Sequence, residues 1–340
     1  MPGLTPYAEN AMPCVILPET LRNARRWAAR FGADTERVSR YVTLFAWVHP
    51  DIVPRRQSIL ANIYAFYRFY DDFNDSLRND IATSRAVAEE MIGVLDGAEP
   101  RSDTSVVRMF HDLWRQHTES APRAFLSRTA THWRHYFATQ SNYHAMRKEE
   151  YPWDLEDYLG FRIDNGGVAL AITQGELANT VYIPAPVYRM RTLVRMRTLA
   201  SYCIILTNDL HSALRDERHG DHRNPVAQHV SHTGATREEA FAHVRNLLLD
   251  YSEQLHGSFD RLGRECDLLE LGEAERAVAR TAARNCVHHS DGYEAWAHRN
   301  EPRLAAPDVD PNLIVRPRAV DVPGSVANSA GLDTDADQAL

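Results

Sequence analysis

The sequence is nearly without lysine: Lys148 is the only one, and arginine carries the rest of the positive charge. It also lacks a basic surplus, since 38 Lys and Arg stand against 46 Asp and Glu, a formal net charge of -8. A nucleic-acid partner needs a basic face, so none is expected. No run of about 18 apolar residues occurs, so no membrane span is expected. The four cysteines, Cys14, Cys203, Cys266 and Cys286, have neither metal-ligand nor Cys-x-x-Cys spacing. They read as reduced, partly buried thiols. Met1 to Asn10 has no cationic start and no apolar run, so no secretory leader is expected and the expected location is the cytoplasm.

Glycine and proline are scarce through the middle of the chain, where apolar residues recur at helical spacing. Hydrophobic residues make up 44% of the 340, enough for a sizeable core. Residues 1–18 carry four prolines and read as an arm. Helices are predicted over Glu19 to Phe31, Asp34 to Trp47, Arg55 to Phe73, Ser102 to Thr118, Pro122 to Arg147, Asp154 to Leu177 and Val187 to Arg215. Glu217 to Gly234, rich in His, Arg, Asp and Gly, reads as a loop of the kind that forms a lid. Thr236 and Glu239 spell a capping box for a helix from Arg237 to Gly263, and Glu273 to His298 forms the last one. From residue 305 onward periodicity is lost, and a disordered tail is expected. The pattern gives an all-α fold, a single-domain helical bundle over residues 19–304. Its centre is either packed core or cavity.

Three motifs carry chemistry. Asp71-Asp72-Phe73-Asn74-Asp75 follows an aromatic helix, and Asp71 and Asp75, four apart, share one face. Paired carboxylates suit a hard cation such as Mg²⁺, which shares its ligands with a phosphate; a solvated acidic helix end is the plainer alternative. Tyr64 and Tyr67 precede them on the same face. Asn208, Ser212 and Asp216 fall at steps of four and offer a second oxygen half-shell, with Arg215 beside the last of them to meet a phosphate. Asn and Ser are weak mid-helix residues, so a polar stripe facing water is the competing explanation. Arg162-Ile163-Asp164-Asn165-Gly166-Gly167 places two glycines inside a helical pattern, at a cost of roughly 1 kcal/mol each relative to Ala. They break the helix or permit a close crossing, and the fork of Arg162 suits an anion.

With these residues the chain resembles the bacterial class I terpene synthases, the terpene cyclases. Asp71 to Asp75 matches their aspartate-rich motif. Asn208, Asp209, Ser212, Arg215 and Asp216 match their second metal motif, with Asp where the family usually has Glu. Arg162 stands at the diphosphate-sensing arginine, and Asn165 and Gly166 at the linker and effector positions. Weaker likeness lies at Trp27 to Gly32 and His49-Pro50-Asp51, and the whole covers roughly residues 12–304. The family's closing Arg-Tyr pair is absent, leaving Arg303 or Arg299 to take its part.

The resemblance implies a class I terpenoid synthase-like bundle around a central apolar cavity. Three Mg²⁺ ions are then expected with the bound diphosphate, at Asp71 with Asp75 and at Asn208, Ser212 and Asp216. Arg162, Arg215 and Arg303 would hold the diphosphate, and Gly166 would aim a carbonyl at the cation. Tyr64, Tyr67, Phe66 and Trp296 are the candidate cavity wall. The implied substrate is an isoprenoid diphosphate, farnesyl before geranylgeranyl, and a homodimer is left open. A chain-elongating prenyltransferase and a catalytically impaired binding protein of the same fold are the alternatives.

Overall fold

The computed structural model describes residues 4–77, 79–148, 154–218 and 222–304, with the side chains of 147, 148 and 301–304 outside the description. Fifteen α-helices and no strand are found among the described residues. They are α1 (Pro18–Ala29), α2 (Thr35–Val42), α3 (Leu44–Val48), α4 (Gln57–Ser76), α5 (Ile81–Leu95), α6 (Ser105–Ser120), α7 (Arg123–Lys148) and α8 (Leu155–Asn165). There follow α9 (Val168–Asn179), α10 (Ala185–Tyr188), α11 (Arg191–Arg218), α12 (Pro225–Thr233), α13 (Arg237–His256), α14 (Phe259–Leu268) and α15 (Glu273–Leu304).

The centre is built from helices that bury more than one face. Residues 59–67 of α4 are all buried, and α4 packs against α1, α2 and α6. Burying Leu60, Ile63 and Phe66 stabilises the fold by about 1.5–3 kcal/mol each. On the other side α11 packs against α13 and α15, while α7 runs between α5 on one flank and α8 and α9 on the other. Gly292 permits one close crossing, since a Cβ there would lie 2.1 Å from the Trp47 carbonyl.

Several helices differ from the sequence expectation. The span from Asp34 to Trp47 is two helices, with Thr43 at the joint, its hydroxyl donating to the Arg40 carbonyl at 2.7 Å. Glycine also ends α13 at Gly257, before the expected Gly263. The helix α5 was not expected, although Asp80 caps it and its buried residues keep helical spacing. The stretch read as a lid is largely helical: α11 continues to Arg218, and Asn224 caps α12 with Pro225 at its first position. Asn224 is an N-cap followed by Pro, a helix start that outweighs the polar composition.

Residues 4–17 lie against the bundle. Thr5 donates both its N–H and its hydroxyl to Glu294, each at 2.7 Å. Tyr7 stacks on His256 at 3.8 Å. The expected tail from residue 305 lies outside the described residues.

Burial also sets the charge of several histidines. His49 and His117 are pushed well down or down from their ordinary range, and His132 and His289 to about 4, in each case chiefly by desolvation. The unfolded chain protonates such a ring near 6.5, whereas folded His289 stays neutral to about 4. The unfolded state therefore binds more protons in that window, and the folded state loses stability as pH falls from 6.5 to 4. For His289 the loss at pH 5 is about 2 kcal/mol. Between pH 7 and 5 the change in unfolding free energy of His289→Gln is expected to lie above wild type by about that amount. Identical pH dependence in urea titrations would contradict this.

Candidate active site

The acidic end of α4 is not three equivalent carboxylates. Asp72 pairs with Arg37 at 2.9 Å and with Arg68, one turn earlier on the same helix. Asp71 is half-buried and accepts a hydrogen bond from the Tyr136 hydroxyl at 2.8 Å. Desolvation pushes its carboxyl up to about 6, offset in part by Arg68 and Tyr136. Asp75 is exposed. Asn74, between them, is buried and donates to Gln140 at 2.8 Å.

The break between α8 and α9 falls at the glycine pair. Gly166 still donates to the Arg162 carbonyl at 2.8 Å, whereas Gly167 is left-handed, with φ of 63°. A Cβ on Gly167 would lie 3.3 Å from the rings of both Tyr136 and Tyr67. The chain thus turns against the tyrosine that holds Asp71. Arg162, in the last turn of α8, donates from Nη1 to Asn165 Oδ1 at 2.9 Å. Its Nη2 lies 3.5 Å from Asn208 Oδ1 and 3.7 Å from Asp209 Oδ1.

The third motif faces this fork from α11. Asn208 donates to the Tyr293 hydroxyl at 3.0 Å, and the Ser212 hydroxyl donates to Asp216 Oδ2 at 2.5 Å. Asn224 of α12 donates to the same Asp216 oxygen at 3.1 Å and to the Asp209 carbonyl at 2.8 Å. Asp209 is buried and accepts from the Tyr158 hydroxyl at 2.8 Å. Arg215 is exposed, its Nε 3.5 Å from Asp216. Glu217 pairs outward with Arg237 at 2.7 Å and does not join the set. Arg303 lies in the last turn of α15, its side chain outside the described residues. Arg299, the other candidate for closure, lies over the Trp47 ring at 4.4 Å.

The aromatic residues divide. Tyr64 and Tyr67 are in edge contact at 5.7 Å, Tyr41 lies 6.4 Å from Tyr64 and 5.6 Å from Trp296, and Tyr293 lies 6.1 Å from Trp296. Tyr41 is within electrostatic reach of both Asp71 and Tyr293, so this wall joins the acidic end of α4 to the residue that holds Asn208. Phe66 is corrected from wall to core, packed among Tyr70, Phe110, Trp133 and Phe137.

A cleft of about 320 Å³ is lined by Leu155, Glu156, Leu159, Tyr202 and Tyr251, and a void of about 10 Å³ lies by Glu176 and Tyr188. Neither is lined by Tyr64, Tyr67 or Trp296. The Tyr67 hydroxyl is buried with no protein partner.

Among the described residues no group of three or more His, Cys, Asp or Glu comes together as a metal site. The donors are carboxylate, amide and hydroxyl oxygens, which fits a hard cation that completes its shell with water and phosphate oxygens. The buried N–H donors Arg162 Nε and Asn165 Nδ2 have no protein partner. They fit an anion beside that cation.

Sequence reasoning missed Tyr41, Tyr136, Gln140, Tyr158, Asn224 and Tyr293. None belongs to a spaced motif, and only Asn224, as an N-cap before proline, had a local signal.

A helical bundle carrying an acidic helix end, a broken helix and an oxygen-rich helix face defines the terpenoid synthase class. Germacradien-4-ol synthase from Streptomyces citricolor shares the fold at a TM-score of 0.75, over 87% of this chain and 95% of that one, at 22% identity. An α-eudesmol synthase does so at 0.76, over 85% and 97%, at 21% identity. A sequence profile described as terpene synthase family 2, C-terminal metal binding, matches residues 62–254. The chain belongs to this family, the bacterial class I terpene synthases. It is 29% identical to pristinol synthase of Streptomyces pristinaespiralis over 72% of this chain and 67% of that one. To the (-)-β-caryophyllene synthase of Saccharothrix espanaensis, which cyclises (2E,6E)-farnesyl diphosphate, it is 26% identical over 85% and 84%.

Gly167→Ala combines a left-handed backbone with ring contacts, and is expected to cost about 1–2 kcal/mol of stability. Urea unfolding reads this directly; a wild-type midpoint would mean the break relaxes without strain.

Proposed function

We propose that the protein is a Mg²⁺-dependent sesquiterpene synthase that ionises farnesyl diphosphate and cyclises the cation to a terpene hydrocarbon or alcohol. The observation that carries this reading is the fork of Arg162, which reaches Asn165 at the helix break and Asn208 in the second motif. The farnesyl-cyclising relatives favour the C15 substrate.

In this reading Asp71 and Asp75 on one side, and Asn208, Ser212 and Asp216 on the other, would hold three Mg²⁺ ions. Bound there with the diphosphate, these ions supply the positive charge that makes it a leaving group. Arg162 and Arg215 add charge-assisted hydrogen bonds to its oxygens, which strengthen as the bond to the allylic carbon breaks. Asn165, held by Arg162, fixes the peptide leading to Gly166, whose carbonyl would be turned to the new cation. Tyr64, Tyr67 and Trp296 line the cavity, each aromatic face stabilising a cation by about 0.5–2 kcal/mol. Their apolar packing keeps water from the cation.

The test is incubation with Mg²⁺ and, separately, geranyl, farnesyl and geranylgeranyl diphosphate, with gas chromatography of the products. Farnesyl diphosphate is expected to give the fastest diphosphate release, with cyclic products. Asp71→Ala is expected to abolish release with helix content intact, and Arg162→Ala to lower it by on the order of a hundredfold. Activity confined to lengthening a chain with isopentenyl diphosphate would overturn the reading.

A further inference from the structure

We infer that Gln140 is a positioning residue that ties the acidic end of α4 to the break between α8 and α9. Gln140 lies in α7, outside the three motifs, and both ends of its amide are used. Nε2 donates to the Asn165 carbonyl at 2.7 Å, and Oε1 accepts from Asn74 Nδ2 at 2.8 Å. Asn74 Oδ1 in turn accepts from the Ser84 hydroxyl at 3.1 Å. Ser84, Asn74, Gln140 and Asn165 are all buried. The chain of donors runs one way, from Ser84 through Asn74 and Gln140 to Asn165.

The Asn165 carbonyl closes α8, and the left-handed turn at Gly167 interrupts the helix before a donor four residues on can reach it. An orphan carbonyl at a helix end needs a partner, and Gln140 supplies one. The same peptide unit is held at its other edge, where the Gly166 N–H meets the Arg162 carbonyl at 2.8 Å. The Asn165–Gly166 peptide is therefore fixed from both sides.

A second tie runs parallel to the first. Tyr136, one turn before Gln140 on α7, donates to Asp71 and packs its ring against the site of Gly167. Two residues of one helix face thus connect the same two segments, one through an amide and one through a phenol. A shift of Asp71 or Asp75 on meeting a cation moves Asn74 with it, and the amide of Gln140 carries the shift to the peptide before Gly166. A buried amide needed only for packing has no reason to link these two segments in sequence. The catalytic meaning of the tie rests on the function proposed above; its existence does not.

The experiment is hydrogen–deuterium exchange on the full chain, wild type and Gln140→Met, without ligand and with Mg²⁺ and inorganic diphosphate. Without ligand, breaking the tie is expected to speed exchange at both ends, residues 71–77 and 163–171. A change confined to α7 overturns the inference. With ligand, wild type is expected to slow exchange at both segments, and Gln140→Met only at 71–77; slowing at both in the variant also counts against it. With farnesyl diphosphate, kcat is expected to fall on the order of tenfold with KM near wild type and a larger share of acyclic products. An unchanged product ratio would contradict a positioning role. Should Gln140→Met not fold, Asn74→Leu breaks the same tie from α4 and is read in the same way. If wild type releases no diphosphate from any isoprenoid substrate, the proposed function fails while the ligand-free exchange still decides the tie.

Discussion

The structure turns on the guanidinium of Arg162. It sits at the last turn of α8, mostly buried, with its two terminal nitrogens directed to different helices. A buried cation without compensation is costly. Here Asp209 lies 3.7 Å away, but it also accepts from Tyr158 at 2.8 Å and so is shared. The Nε donor has no protein partner at all. One N–H donor thus remains unmatched by the surrounding side chains, at the point where α8 stops. A helix break, two amides and a carboxylate are all organised around that fork.

The opposite side of the site has the reverse imbalance. Asp71 is desolvated, with Tyr136 and the more distant Arg68 as partial compensation, and its carboxyl rises to about 6. Asp72, which could have neutralised Arg68 and Arg37 or bound a cation, does the former. The site therefore keeps an under-compensated carboxylate on α4 and a guanidinium with an unmatched N–H donor on α8, joined through α7. A diphosphate bound together with divalent cations satisfies both, which neither a free cation nor a free anion does. What separates these charges is α7, packed between α5 and α9, and the left-handed Gly167 against two tyrosine rings.

The fold was legible because helical periodicity survives without tertiary information. Thr236 with Glu239 gave a boundary that local chemistry sets, whereas the glycine pair left a break or a close crossing open and splits the helix expected over Asp154 to Leu177. Local signals misled where packing decided instead. Thr43 splits a predicted helix at a joint where it also accepts from Trp296 at 3.1 Å, a partner 253 residues away. The site motifs were legible because ligands on one helix face must recur at steps of four. Their supports were not, since Tyr136, Gln140, Tyr158 and Tyr293 lie on other helices and are chosen by distance in space. Phe66 was misplaced for a related reason. On a helix buried on every side, all faces are apolar, and composition does not say which face looks toward a cavity.

The central claim is that the carboxylate end of α4 and the oxygen-lined face of α11, 137 positions apart in sequence, serve one diphosphate. The most direct measurement is a crystal structure of the full chain grown with Mn²⁺ and inorganic diphosphate, the metals placed by anomalous scattering. The account predicts metal at Asp71 and metal at Asn208, Ser212 and Asp216, bridged by a single diphosphate that Arg162 also contacts. Metals on only one of the two helices, or a diphosphate away from Arg162, would contradict it.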